Sequence, residues 1–277
     1  MTKRKMGKYD GWLIVSDMDA TLLDKNEKLS KENKEAIDYF ISNGGLFTVA
    51  SGRMAAEIEL YFDYLHINAP AILHNGAQIY DFDAKKNLML KCIEAERKKC
   101  IKRAHDELTG AGVEVFTDKE QVFIYRDSQE TARYKLRKIE PYYGMTDEAW
   151  NSDWVKVLFI GEKEILDRIE PVYKSMYDRG YSVRSGERFL DVVADGASKG
   201  NALTELIKIL GLDREKVVAV GDNMNDISMI YASGCGVAVG NAVDELKNAA
   251  QIIAPEHTKP VVKFIVEEVI DKKIATE

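Results

Sequence analysis

The run Asp17-Met18-Asp19-Ala20-Thr21-Leu22 directly follows the apolar stretch Trp12-Leu13-Ile14-Val15. A short unbroken apolar run rich in β-forming residues reads as a strand buried on both faces, the kind found in parallel sheets. Open sheets of that kind bind ligands beyond the carboxyl ends of their strands, and this strand delivers two carboxylates there. Side chains at i and i+2 of an extended chain share a face, so Asp17 and Asp19 converge if the strand continues. If the chain bends after Asp17, Asp19 still offers its backbone carbonyl to the same point. Two acids aimed at one place repel each other unless a cation or a shared proton intervenes. The options are a metal site, a nucleophile with an acid/base partner, both together, or a polar strand end closed by an Asx turn.

A second acidic cluster narrows these options. Val217-Val218-Ala219-Val220 is another apolar run, followed by Gly221-Asp222-Asn223-Met224-Asn225-Asp226. Gly221 is expected to supply a tight turn into the next helix. Between the two clusters lie Thr48-Val49-Ala50-Ser51-Gly52-Arg53, a strand ending in a hydroxyl, and Ser198-Lys199-Gly200, an ammonium at a helix start. Two carboxylate clusters, a serine beside glycine and a lysine are the parts needed to hold magnesium and a phosphate. Magnesium takes oxygen ligands, commonly one or two carboxylates plus phosphate oxygens. Serine and nearby amides donate to phosphate, and lysine adds a point charge.

Composition excludes several other classes. A net charge of −7 argues against a nucleic-acid surface, which needs a basic patch. It leaves room for a phosphorylated small molecule, because a local lysine and metal override the global field. Cys92, Cys100 and Cys235 form no Cys-x-x-Cys pair, which fits reduced thiols in a cytoplasmic protein better than a disulfide framework. The basic start Met1-Thr2-Lys3-Arg4-Lys5 is followed by too short an apolar stretch for a secretory signal, and no segment reaches the length of a membrane span. The expected state is a monomer or small homo-oligomer.

Along the chain, strand and helix alternate through the first third. A helix is predicted from the N-cap Ser30 to Asn43-Gly44, with Ile37, Phe40 and Ile41 on its buried stripe. A strand over 46–50, a helix over 54–65 and a strand over 71–73 follow, joined by right-handed crossovers. Asn75-Gly76 then reads as the turn of a hairpin into Gln78-Ile79-Tyr80. From about residue 84 to 193 the texture changes to an inserted α+β region. It has helices over 94–108, 128–138 and 162–179, and strand-like runs over 113–116, 122–125, 155–160 and 181–183. The parallel pattern then resumes with a helix over 199–210, the Asp222 strand and a helix over 226–231. A strand over 236–239, a helix from Val243 and a last apolar run, 251–254, complete it. His74 precedes the hairpin turn, but the chemistry proposed below needs no histidine.

The chain resembles the haloacid dehalogenase (HAD) superfamily, and within it the Cof-like sugar-phosphatase branch. The resemblance rests on DMDATLLD at 17–24, TVASGR at 48–53, HNGAQIYD at 74–81, GASKGNAL at 196–203, GDNMNDISM at 221–229 and GVAVGNAVDELK at 236–247. They stand in the family's order and spacing and cover nearly the whole chain. Ala20 departs from the family's glycine, and a positive φ there would strain it.

The resemblance implies an α/β fold, a Rossmann-like parallel-sheet core over 1–83 and 194–277, with 84–193 as an inserted α+β cap that closes over the core and selects the substrate. It implies a magnesium-dependent phosphomonoester hydrolase with Asp17 as nucleophile. Asp19 would act as general acid and then base, its proton affinity raised by Asp17 and the substrate. Asp17, Asp222 and the Asp19 carbonyl would hold Mg2+. Ser51, Lys199, Asn225 and amides near Met18 and Gly52 would hold the phosphate, and Arg53, Asn75 and Gly76 would touch the substrate. Asp226 would orient Lys199 or metal-bound water, or simply satisfy a helix N-terminus. A phosphomutase using the same two aspartates, and a phosphate-ester binding protein, are the alternatives. Hexose phosphates, smaller sugar phosphates and phosphorylated cofactors all remain open as substrates.

Overall fold

The computed structural model describes residues 7–177 and 182–276. In chain order its strands are β1 (Leu13–Ser16), β2 (Leu46–Val49), β3 (Ala71–Leu73), β4 (Gln78–Asp81), β5 (Lys86–Leu90), β6 (Gly112–Thr117), β7 (Val122–Arg126), β8 (Tyr142–Tyr143), β9 (Trp154–Ile160), β10 (Ser182–Gly186), β11 (Phe189–Val193), β12 (Val217–Gly221), β13 (Cys235–Ala238) and β14 (Ile252–Ile253). The helices are α1 (Lys31–Ser42), α2 (Ala55–Glu59), α3 (Ala95–Glu107), α4 (Arg133–Leu136), α5 (Asp147–Asn151), α6 (Lys163–Val172), α7 (Lys199–Leu210), α8 (Ile227–Ala232), α9 (Asp244–Ala249), α10 (Val261–Phe264) and α11 (Asp271–Ile274).

Five strands form a parallel sheet in the order β14-β13-β12-β1-β2. β1 and β12 are buried along their whole length, as their unbroken apolar runs require. The chain runs outward from β1 to β2 on one side and later returns to β12 on the other, so the order reverses at β1. A crevice opens at the strands' carboxyl ends at such a reversal. The hairpin sheet β3-β4-β5 adjoins β2 through a parallel bridge from Ala50 to Ile72.

The α1 reading holds at both ends: the Ser30 side chain accepts from the Asn33 amide, and Asn43 closes the helix. The helix expected over 54–65 is shorter, with α2 giving way after Glu59 to turns such as Tyr61 N–H to the Ile58 carbonyl and Tyr64 N–H to the Tyr61 carbonyl. The aromatic run Tyr61-Phe62-Asp63-Tyr64 has poor helix propensity, and Phe62 and Tyr64 stay exposed, so little burial offsets that cost. The hairpin at 74–77 forms, but as a 3-10 turn with Asn75 at φ 54 rather than a two-residue loop. The helical turns from α10 to α11, beyond the last element read from the sequence, bury Val261, Val262, Ile265 and Ile270 against the core. Tyr181, at the start of one expected strand, and the end of the 162–179 helix lie outside the described residues.

A six-stranded sheet, β10-β11-β9-β6-β7-β8, is antiparallel except for the short β7–β8 pair. Alternate residues of a strand point to opposite faces. Val113 and Val115 of β6, Val157 and Phe159 of β9, and Leu190 and Val192 of β11 pack with Ile101 and Ala104 of α3 and Leu166 and Ile169 of α6. The intervening Phe116, Lys156, Leu158, Phe189 and Asp191 line a cavity over the carboxyl ends of the parallel sheet. β5, within the segment read as inserted, pairs with β4, and Leu88 and Met89 pack against the parallel-sheet core.

Candidate active site

Strand register assembles the site. Ser16 pairs with Val220 on one side and Val49 on the other, so the next residues of three adjacent strands emerge at one level. The Asp17 amide donates to the Val220 carbonyl and the Ala50 amide to the Ser16 carbonyl, both at 2.9 Å. Asp17, Asp222 and Ser51 therefore face the same crevice. The chain bends after Asp17 instead of continuing as strand: residues Met18–Leu22 form one wide turn closed by the Leu23 amide on the Met18 carbonyl. Ala20 sits in that turn at φ 56, so the strain foreseen for alanine is present. The Asn241 side chain donates to its carbonyl at 2.8 Å.

Lys199, the first residue of α7, is completely buried and donates to Asp17 Oδ1 and Asp226 Oδ1, each at 2.6 Å. The Asp226 Oδ2 accepts the amides of Asp222 and Asn223 at 2.9 and 3.1 Å. Asp226 thus satisfies a helix start and orients Lys199 at once, one oxygen for each. Gly221 makes room for this arrangement: it lacks a positive φ, contrary to the turn expected of it, but a Cβ there would overlap the Asp226 carboxyl. Burial pushes the Asp17 carboxyl well above the usual carboxylate range, with Lys199 opposing and the neighbouring acids adding to the rise. Burial and then Asp226 push Asp222 up to about 6. For Lys199 burial alone would favour the neutral amine, but Asp17 and Asp226 overrule it and hold the ammonium above its ordinary value.

Asp19 departs from expectation. Its side chain points into the cavity and accepts from Arg53 Nε at 3.0 Å and Nη2 at 2.5 Å. Desolvation in the cleft works against ionisation, but the Arg53 guanidinium holds the Asp19 carboxyl below its usual range, the opposite of the rise anticipated from Asp17. Arg53 itself is buried, lies 5.3 Å from the Tyr61 ring centre and also pairs with Glu27 at 3.2 Å.

The remaining predicted residues divide by position. Ser51, Gly52, Arg53, Asp222 and Asn225 line the cavity with Asp17 and Asp19. Met18 is buried beneath the turn. Asn75 packs against Gly52 and Gly76 against the start of α7, and neither is among the residues lining the cavity. Asn75 instead accepts from Asn225 Nδ2 at 3.0 Å and so orients it. Gly76, at φ 93, presses on the Ser198 carbonyl, and this contact seats the hairpin against the start of α7. His74 is buried edge-on to Phe116, and burial holds it neutral.

Four contributors were missed. Thr21 donates to Asp222 Oδ1 at 3.3 Å from inside the first motif. Lys156 of β9 donates to the Gly52 carbonyl at 2.7 Å and pairs with Asp191 at 3.2 Å. Arg137, just after α4, pairs with Glu57 and, at 2.8 Å, with Glu27. Thr21 was legible from its motif. Lys156, Arg137 and Glu27 carry no local signal, since lysines, arginines and glutamates are common on any surface. The cavity between the two sheets measures about 600 Å³.

The carboxylates of Asp17, Asp222 and Asp226 offer oxygens within 4.8 Å of one another. Asp226 already spends both oxygens on Lys199 and two amides, whereas Lys199 and Thr21 each reach only Oδ1 of Asp17 and Asp222. A hard-oxygen set of this kind fits a divalent cation. Among the described residues no helix is long and apolar enough to cross a membrane.

Residues 14–265 match the haloacid dehalogenase-like hydrolase family. The chain is 26% identical over 289 residues to the 5-amino-6-(5-phospho-D-ribitylamino)uracil phosphatase YwtE of Bacillus subtilis (strain 168), covering 95% of this chain and 99% of that protein. It is 28% identical over 274 residues to the pyridoxal phosphate phosphatase YbhA of Escherichia coli (strain K12), covering 93% and 98%. A solved haloacid dehalogenase-like hydrolase from B. subtilis superimposes with a TM-score of 0.82 at 25% identity, covering 93% of this chain and 99% of that one. With the reversal at β1 and the acids at its carboxyl end, these matches make the chain a member of the haloacid dehalogenase-like hydrolase family, in its Cof-like branch.

Proposed function

We propose that this hydrolase cleaves phosphate monoesters of small metabolites through an aspartyl-phosphate on Asp17, with Mg2+ as cofactor. The observation that carries the reading is the environment of Asp17, a carboxylate at a strand end that faces the cavity between Lys199 and Asp222. Asp17 attacks phosphorus, the ester P–O bond breaks, and the departing alkoxide takes a proton from Asp19. Asp19 then accepts a proton from water as that water attacks phosphorus, which frees inorganic phosphate and restores Asp17. The Arg53 pair keeps Asp19 ionised before substrate enters, which suits its second role as base. A phosphate dianion arriving beside it raises its proton affinity, so Asp19 takes up one proton from solvent as the substrate binds and holds it for the first. Ser51 and the amides near Met18 and Gly52 hold the transferring oxygens, Asn225 borders them, and Lys199 fixes the orientation and charge of Asp17. Magnesium, held by Asp17, Asp222 and the Asp19 carbonyl, would offset the repulsion between carboxylate and phosphate dianion.

The six-stranded sheet and its helices, within residues 84–193, serve in this reading as a cap whose cavity face chooses the substrate. Phosphate release is the test, measured across hexose phosphates, smaller sugar phosphates, pyridoxal phosphate and 5-amino-6-(5-phospho-D-ribitylamino)uracil, with Mg2+ and with a chelator. At least one ester is expected to turn over with Mg2+. Asp17→Asn is expected to lower that rate by orders of magnitude with the fold intact. Near-normal turnover by a folded Asp17→Asn protein rules out the covalent route.

A further inference from the structure

A chain of alternating charges crosses from the region of the six-stranded sheet to Asp19. Arg137 extends from the end of α4 and pairs with Glu27 at 2.8 Å and with buried Glu57. Glu27 stands at the tip of a small hairpin, residues 24–28, where the Asp24 side chain accepts the amides of Asn26 and Lys28 and Leu23 bridges to Leu29. The Glu27 Oε1 that Arg137 holds also faces Arg53 Nη2 at 3.2 Å, while Tyr61 donates its hydroxyl to Oε2 at 3.2 Å. Arg53 in turn grips Asp19 with two nitrogens. Glu27 is half exposed on a loop tip, and Arg137, with Arg53 and Tyr61, is one of three groups that hold its carboxylate against the rotamer freedom such a position allows.

We propose that Arg137 is a positioning residue for Asp19, acting through Glu27 and Arg53. Seating of the six-stranded sheet and its helices places Arg137 on the hairpin, the hairpin carboxylate meets the same Arg53 Nη2 that binds Asp19 and so fixes where that nitrogen sits, and Arg53 aims the Asp19 carboxyl. The general acid is thereby aligned only when the cavity is closed over its contents. A bidentate guanidinium–carboxylate pair transmits such alignment well because its planar geometry tolerates little rotation. This inference rests on the reading of Asp19 as the acid that protonates the leaving group.

The experiment compares single-turnover phosphoryl transfer from p-nitrophenyl phosphate and phenyl phosphate. These esters are of similar size but differ in how much the leaving oxygen needs a proton. In Asp19→Asn the ratio of the two rates is expected to rise, because the poorer leaving group suffers more. In Arg137→Ala the ratio is expected to rise by about tenfold, a fraction of the roughly 10²- to 10⁴-fold that a general acid supplies, and Arg137→Lys is expected to recover part of it. Glu27→Gln keeps the shape of the hairpin and should raise the ratio in the same direction, and it carries the test if Arg137→Ala does not fold. Arg137→Ala added to Asp19→Asn should change the ratio no further, as groups acting in series are non-additive. A ratio that rises in Asp19→Asn but stays flat in Arg137→Ala and Glu27→Gln overturns the relay and leaves the acid assignment standing. A flat ratio in Asp19→Asn overturns both. Equal losses for both esters in Arg137→Ala, or a rise in KM alone, reduce Arg137 to an anchor of the six-stranded sheet and its helices.

Discussion

Lys199→Met removes the ammonium that pairs with both Asp17 and Asp226 while nearly conserving volume. The wild-type ammonium is fully enclosed, and its two partners are at most 9% exposed at the side chain. Truncating one member of a buried ion pair leaves an uncompensated charge and costs about 3–5 kcal/mol. Asp226 keeps its two amide donors, so the loss falls hardest on Asp17, whose carboxyl burial already pushes well above the usual range. At about 2–4 °C per kcal/mol for a domain of 150–250 residues, the melting temperature at pH 7 should fall by roughly 6–20 °C.

The pH dependence has a definite sign. An unfolded aspartate titrates near 3.9. The folded Asp17 carboxyl titrates above that, and further above it once Lys199 is gone. Between those values the folded state binds the extra proton, so stability rises as pH falls, by up to about 1.4 kcal/mol per pH unit. The gap between variant and wild type should therefore be widest at pH 7 and narrow at pH 5.5. Thermal unfolding of both proteins at the two pH values, followed by circular dichroism, measures it. A drop of less than about 2 °C at pH 7, or a gap that widens on acidification, refutes the buried-charge account.

Two backbone substitutions probe the loops that carry the site. Gly76→Ala forces a Cβ onto the Ser198 carbonyl at a φ of 93, and should cost about 2–5 kcal/mol in chemical denaturation; a cost below 1 kcal/mol would mean that the hairpin and α7 are not in firm contact. Ala20→Gly relieves a left-handed alanine worth about 1–2 kcal/mol but loosens the unfolded chain by about 0.4–1 kcal/mol, so stability should be unchanged or rise by up to about 1.6 kcal/mol. A clear loss of stability there would mean that the Ala20 methyl packs usefully.

The sheet and the acids at its edge were legible from local sequence. Trp12-Leu13-Ile14-Val15 and Val217-Val218-Ala219-Val220 could be satisfied only by burial on both faces, and Asp17 and Asp222 follow them immediately, so strand identity and acid placement came together. Ser30 and Ser198 announced α1 and α7 by the same local logic, since a cap bonds within three residues of itself. What each polar group does with its partners was decided only in three dimensions. Asp226 lies 27 residues from Lys199, Asp19 lies 34 from Arg53, and Glu27 lies 110 from Arg137. No periodicity spans such separations. Arg53 reads from sequence as a substrate contact; it lines the cavity, and packing against Tyr61 and the reach of Asp19 around the Ala20 turn also give it a pair that holds the Asp19 carboxyl below its usual range. Short-range patterning therefore determined which groups reach the crevice, and the packing of distant elements determined which of them are already engaged.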